Sequence, residues 1–341
     1  MHLYRPIRAS DLDAIVELAR RHDSMNLPDD RAFLAERIER SEASFSRSVE
    51  DWRDRIYMFV AEAVETGDVI GTSLILAKHG SPSVPFYWLE VTREDRSSEA
   101  LGKHFVHEKL RLRSSTDGPT EVGGLVVDPR HRGRASGCGK CLSAVRFAYM
   151  AMHPECFERE VVADIVSVPV RAGETTLWDV FGAHFTGVSY READHLSARD
   201  KSFIADLLPQ DPVYTTFFPE SVRAQLGRPA DEAIPAVKIL EKLGFSYLNQ
   251  IDPFDGGPYF GCARDAIVSV RDRRTLVLPS ALPAPGELDA EERTLISAEG
   301  ALGFRSTMAP CDAHGTPLLD ATIRTALGIR AGDEVLVTPL P

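Results

Sequence analysis

From Glu121 to Met152 the chain reads as a strand, a basic glycine-rich loop and a helix in direct succession, and no other stretch restricts the fold so tightly. Glu121-Val-Gly-Gly-Leu125-Val-Val127 is short and apolar, the pattern of a buried strand. Pro129 cannot extend a sheet ladder, so Asp128-Pro129 ends it. Arg130 to Lys140 follows with glycines at 133, 137 and 139, and from Cys141 a helical pattern places Leu142, Val145, Phe147, Ala148 and Met150 on an apolar side. A strand that turns directly into a helix leaves backbone N–H groups unpaired at the helix start, where the macrodipole favours an anion.

The order Arg134-Ala-Ser-Gly137-Cys-Gly139 fits the R-x-x-G-x-G signature of Gcn5-related N-acyltransferases, which cradle the pyrophosphate of an acyl-coenzyme A. It is neither a dinucleotide G-x-G-x-x-G nor a P-loop. Further runs match a narrower family: Ser143-Ala-Val-Arg146-Phe147, Phe203 to Pro209, Pro212-Val-Tyr214, Leu240-Glu-Lys-Leu-Gly244-Phe245 and Asp252-Pro-Phe-Asp255-Gly-Gly-Pro258. Over residues 1–272 the chain resembles the arginine N-succinyltransferase family. The resemblance implies a mixed α/β (α+β) fold with a Gcn5-related N-acyltransferase-like core. It implies acyl-CoA, with succinyl-CoA as donor, as co-substrate with no permanently bound cofactor, and arginine or a related amine as acceptor. Arg134, Gly137, Gly139 and Lys140 would hold the CoA phosphates, and the backbone of Leu125, Val126 and Val127 would face the thioester.

The chain departs from the family pattern at identifiable places. The family's proton-donating histidine lies in a Gly-x-Val-His run; here that run is Gly227-Arg-Pro-Ala230, which implies weak turnover of arginine. The family's Ser-Pro-Phe-Trp is Thr175-Thr-Leu-Trp178, and its arginine after the Asp164 strand is replaced near Val166. Two other readings use the same residues: an acyltransferase with another donor or acceptor, and a CoA-binding sensor that has lost catalysis.

Composition narrows the partners. A net charge of −12 argues against a nucleic-acid surface. No run reaches the ~18 apolar residues of a membrane span, and the N-terminus lacks signal-peptide anatomy. Five cysteines, an odd number, suit a reducing cytoplasm better than a disulfide framework. The expected partners are therefore a small amine and acyl-CoA, with a homo-oligomer left open.

In chain order, Leu3–Arg8 reads as a strand, a helix capped near Ser10-Asp11 runs to Arg21, and Arg31–Ser46 is a charged helix. Tyr57–Ala61 and Val69–Leu76 form a hairpin across Glu65-Thr-Gly67-Asp68, and Phe86–Val91 is a further strand. Glu99–Arg113 fits helix or strand; on a helix His104 and His107 would share a face, but no third ligand has metal-site spacing, so no metal is expected. Trp178–Phe185 resembles a closing helix and strand of an acyltransferase core, and Ile234–Tyr247 echoes it within residues 196–272. Prolines 279, 283 and 285 mark a linker, which divides the chain into a core over 1–272 and a small β-rich unit over 273–341.

Four carboxylates are candidates for the chemistry. Glu121, at the entry to its strand, could act as base or cation anchor. Asp164 lies in the apolar strand Val161–Ile165, where a carboxylate needs a partner. Asp252 and Asp255 flank a Gly-Gly-Pro turn and either bind a guanidinium or cap the turn. Cys138 and Cys141 sit at a helix start, which would lower a thiol pKa.

Overall fold

The computed structural model describes residues 1–22, 27–82, 84–133, 137–167, 176–197, 200–278, 293–311 and 316–341. The strands are β1 (His2–Pro6), β2 (Ile56–Ala63), β3 (Asp68–Leu76), β4 (Phe86–Ser98), β5 (Lys103–Ser115), β6 (Thr120–Val127) and β7 (Glu160–Asp164). They continue with β8 (Val213–Tyr214), β9 (Ser246–Ile251), β10 (Pro258–Ala263), β11 (Arg274–Val277), β12 (Arg293–Gly300), β13 (Gly303–Pro310) and β14 (Glu334–Pro339). All belong to one mixed sheet in the order β11-β14-β12-β13-β1-β2-β3-β6-β7-β10-β9-β4-β5-β8. The strands after residue 273 join it where β13 pairs antiparallel with β1, and β9 and β10 extend the same sheet beyond β7.

Helices cover both faces. On one side lie α1 (Leu12–His22) and α2 (Arg31–Phe45), packing Ile15, Leu34 and Ile38 against Met58, Val60, Leu74 and Val126. On the other lies α3 (Cys138–Met152), buried along nearly its whole length against Phe59, Ile75, Val122, Val161 and Ala163. Strand residues that alternate between these two clusters show which face each side chain occupies. A third cluster, with Trp178, Phe254, Leu89 and Leu112, packs the far half of the sheet.

Gly67 at φ 76 makes the β2–β3 turn as expected. His104 and His107 fall on β5, and their odd spacing on a strand sends them to opposite faces, so they cannot share an ion. His104 instead contacts Asp95 at 2.9 Å and His107 contacts Thr216 at 3.0 Å.

Trp178–Phe185 is not a helix and strand but two short helices, Leu177–Val180 and Gly182–Thr186. A Cβ at Gly182 would come within 2.3 Å of the Trp178 ring, so that glycine serves close packing rather than a helix end. The Ile234–Tyr247 stretch does follow the pattern: helix Ile234–Lys242, Gly244 at φ 100, then β9.

Candidate active site

Among the described residues β6 and β7 are the one parallel pair, and they pair only at Thr120–Val161 and Glu121–Val162. Beyond Glu121 the two strands part, leaving the β7-facing edge of β6 unpaired from Val122 onward. On its other edge β6 carries a bulge, where Gly124 and Leu125 together oppose Ser73 of β3 and Gly124 adopts φ 57. Past Glu121, among the described residues, no β-pairing closes the space between the two strands.

On the α3 face, Leu125 and Val127 turn toward the helix. α3 begins at Cys138, three residues earlier than the periodicity suggests, with Gly137 in the left-handed region at φ 61. Among the described residues no side chain caps this start. The N–H groups of its first turn, at Cys138, Gly139 and Lys140, precede the first intrahelical donor, Cys141 N–H to the Gly137 carbonyl at 3.0 Å. Lys140 Nζ donates to the Pro341 carbonyl oxygen at 2.8 Å. Arg134 lies outside the described residues.

The thiols of this loop behave opposite to expectation. Cys138 and Cys141 are fully buried, and burial pushes them up to about 11 and about 12. Desolvation of the thiolate outweighs the helix start.

The opposite face gathers the carboxylates. Val122 belongs to the α3 cluster, so Glu121 points toward α2; Val161 and Ala163 belong there too, so Asp164 also points toward α2. Tyr259 is the residue directly opposite Asp164 in the β7–β10 ladder and shares its face. Its hydroxyl lies 3.3 Å from Asp252 Oδ2. Asp252 Oδ1 accepts the N–H groups of Phe254 and Asp255 at 2.7 and 3.1 Å. Asp255 accepts Gly257 N–H at 2.7 Å and Ser167 N–H at 2.9 Å, which ties the turn to the end of β7. The sequence-predicted Glu121, Asp164, Asp252 and Asp255 are thus close enough to act on one another, and the two turn residues also cap their turn.

Crowding of like charges sets the protonation. Asp164 is pushed well above the usual carboxylate range, by burial first and then by Asp252, Asp255 and Glu121. Burial raises Asp252 as well, against its backbone hydrogen bonds. Burial and Asp252 push Asp255 up to about 7. Glu121 differs: burial opposes its ionisation, but His79, Lys201 and Arg37 outweigh burial and hold it below its ordinary value. His79 Nδ1 stands 2.5 Å from Glu121 Oε2.

His79, Lys201, Arg37 and Tyr259 were missed by sequence reasoning. Tyr259 directly follows the Asp252–Pro258 run and could have been included. His79, Arg37 and Lys201 come from a loop, a charged helix and the N-cap of a short helix, with no distinguishing local pattern. Ala230, where the resemblance places a histidine, is buried and donates its N–H to the Val166 carbonyl at 3.0 Å, beside the same turn.

A family model for the arginine N-succinyltransferase beta subunit matches residues 2–269. The arginine N-succinyltransferase of Citrobacter koseri is 33% identical over 350 residues, covering 100% of this chain and 98% of that protein. The chain belongs to the arginine N-succinyltransferase family. A second member, from Salmonella arizonae, is 33% identical over 344 residues with the same coverage. Among solved structures, the arginine/ornithine succinyltransferase subunit AI from Pseudomonas aeruginosa superposes with a TM-score of 0.81 at 28% identity, covering 100% of this chain and 99% of that one. The family's fold therefore extends through the C-terminal strands β11–β14. No described helix is long and apolar enough to cross a membrane.

Proposed function

We propose that this protein transfers the succinyl group of succinyl-CoA to an amine of arginine, by direct attack of the amine on the thioester. The observation that carries the reading is the parting of β6 and β7 just past Glu121. In this reading the start of α3 binds the anion on one face, the carboxylate cluster serves the other, and the unpaired edge of β6 lies between them. An anionic thioester and a cationic amine can meet there from opposite sides.

In this reading the first turn of α3 and the Arg134 loop take the pyrophosphate. The unpaired edge at Leu125–Val127 directs backbone N–H at the thioester carbonyl, where negative charge develops. Asp164, with Asp252 and Asp255 behind it, attracts the guanidinium. Asp255 is committed to the turn and contributes its field rather than a free oxygen. Glu121, paired with His79, takes the proton from the acceptor ammonium. The freed amine attacks the carbonyl carbon, the C–S bond breaks, and CoA leaves as a thiolate that solvent protonates. With Ala230 unable to donate a proton to the leaving thiolate, that step falls to solvent, and the His79–Glu121 pair serves the amine alone.

Free-thiol release with a panel of acyl-CoAs and amines tests this. The succinyl-CoA and arginine pair is expected to give the highest kcat/KM. A better pair elsewhere in the panel would reassign the substrates, and CoA binding without turnover by any pair would leave a sensor.

A further inference from the structure

Arg146, in the middle of α3, is 3% exposed. Its Nε and Nη2 reach the Ser143 carbonyl and hydroxyl oxygens at 3.2 and 2.9 Å, and its Nη1 reaches the Gly123 carbonyl at 3.3 Å. All three acceptors are neutral, and among the described residues no carboxylate pairs with it. Burial lowers its pKa to about 9, so it remains a cation at neutral pH.

Among the described residues the other deeply buried arginine is treated differently. Arg5 is held by Asp11 at 2.7 Å and by Glu62 at 2.6 Å. A buried guanidinium without a counter-ion is costly, and a neutral amide could hold the Gly123 carbonyl as well. Three of five N–H donors are used, which leaves one on each terminal nitrogen, the pair that grips a carboxylate bidentately.

The location fits an acyl chain. Gly123 lies just past the last β6–β7 pair, on the unpaired edge, and two residues before Leu125. Two residues of regular strand span roughly 6.6 Å, and the bulge at Gly124 can only shorten that distance. From its thioester carbon to its carboxylate carbon a succinyl chain spans roughly 4 Å, and a charged hydrogen bond adds about 2.8 Å. A thioester carbonyl at Leu125 would therefore bring the carboxylate to the Arg146 guanidinium.

We propose that Arg146 selects the acyl donor, its guanidinium binding the terminal carboxylate of the succinyl group in the space between β6 and β7. This rests on the acyl-transfer reading above but goes beyond it, because it assigns the donor's anionic end to one residue. The four acidic residues near the acceptor lie on the opposite face and leave this cation to the donor.

The test compares succinyl-CoA with butyryl-CoA, which has the same chain length and no carboxylate, by calorimetric Kd and by thiol release. Wild-type protein is expected to bind succinyl-CoA roughly tenfold to a hundredfold more tightly than butyryl-CoA, the range of a lost charged hydrogen bond. Arg146→Gln should erase that ratio while leaving the butyryl-CoA Kd unchanged, and Arg146→Lys should restore part of it. A wild type that binds both thioesters equally would overturn the proposal, even if Arg146→Gln fails to fold. So would a folded Arg146→Gln that weakens both equally, which would make Arg146 a prop for the Gly123 carbonyl. A wild type that prefers succinyl-CoA in binding but fails to succinylate arginine would sink the acceptor assignment and leave Arg146 standing.

Discussion

His79 Nδ1 lies 2.5 Å from Glu121 Oε2, beside the last residue at which β6 and β7 are still paired. The imidazole and the carboxylate come from two different strand ends, the exit of β3 and the entry of β6, which Thr120 ties together through its hydroxyl to the Ala77 carbonyl. The contact therefore depends on strand register.

Removing either partner should affect the acceptor half of the reaction. Glu121→Gln and His79→Ala are each expected to lower kcat/KM for arginine by about 10²–10⁴, the scale of general base catalysis. The Kd for succinyl-CoA should hardly move. Because Glu121 is held below its ordinary value, it stays ionised at neutral pH, and its stabilising contribution is lost only as pH falls through that depressed value. Variants with lower melting temperature but unchanged kinetics would make the pair structural.

The carboxylate cluster predicts an unusual stability profile. An acid whose folded pKa is raised binds its proton more tightly when folded, so stability falls as pH rises from the unfolded value toward the folded one. For Asp255 that window runs from 3.8 to about 7. Asp164→Asn should therefore raise the melting temperature at pH 8 and not at pH 3, while raising the KM for arginine. Arginine binding should release protons, read by calorimetry in buffers of different ionisation enthalpy. A drop in melting temperature at pH 8 would mean that Asp164 is held by a cation instead.

What the sequence disclosed, and what it withheld, follows from the range of the interactions. Asp164 stood out because a carboxylate in an apolar strand requires an explanation that the strand itself cannot supply. The loop before α3 stood out because strand, glycines and helix are contiguous. Trp178–Phe185 was misread because a glycine between aromatic residues looks the same whether it ends a helix or admits an indole ring. Cys138 and Cys141 were misread because the helix start is local, whereas their burial depends on β1 and the rest of the core. His79, Arg37 and Lys201 join the site only through strand order and helix packing, which no short pattern encodes.

Gly137 and Gly139 should separate fold from binding. Gly137 has φ 61, and a Cβ there would stand 3.4 Å from the Met308 side chain. Gly137→Val should therefore cost stability, about 1–2 kcal/mol from the left-handed backbone alone. Gly139 lies in the first turn of α3, where an added Cβ meets Val127 at an ordinary 3.8 Å. Gly139→Val is expected to keep the melting temperature and raise the Kd for CoA at least tenfold, by crowding the helix start. An unchanged Kd in folded Gly139→Val would remove the phosphates from this site.

Restoring the family histidine should fail. Ala230 is 4% exposed, and its N–H is bonded to the Val166 carbonyl, one residue before the Ser167 N–H that holds Asp255. An imidazole there must displace packed neighbours, and overpacking of this kind typically costs about 1–3 kcal/mol. The strain would pass directly into the turn that carries Asp252 and Asp255. Ala230→His should accordingly lower the melting temperature and leave kcat for arginine no higher than that of the wild type. Ala230→Ser, which adds a single oxygen, serves as the control for position and should be nearly neutral in both measurements. If Ala230→His instead kept its melting temperature and raised kcat, the turn would have room for the ring. The thiolate's proton would then come from residue 230 rather than from solvent, and Ala230 would be what limits the wild type.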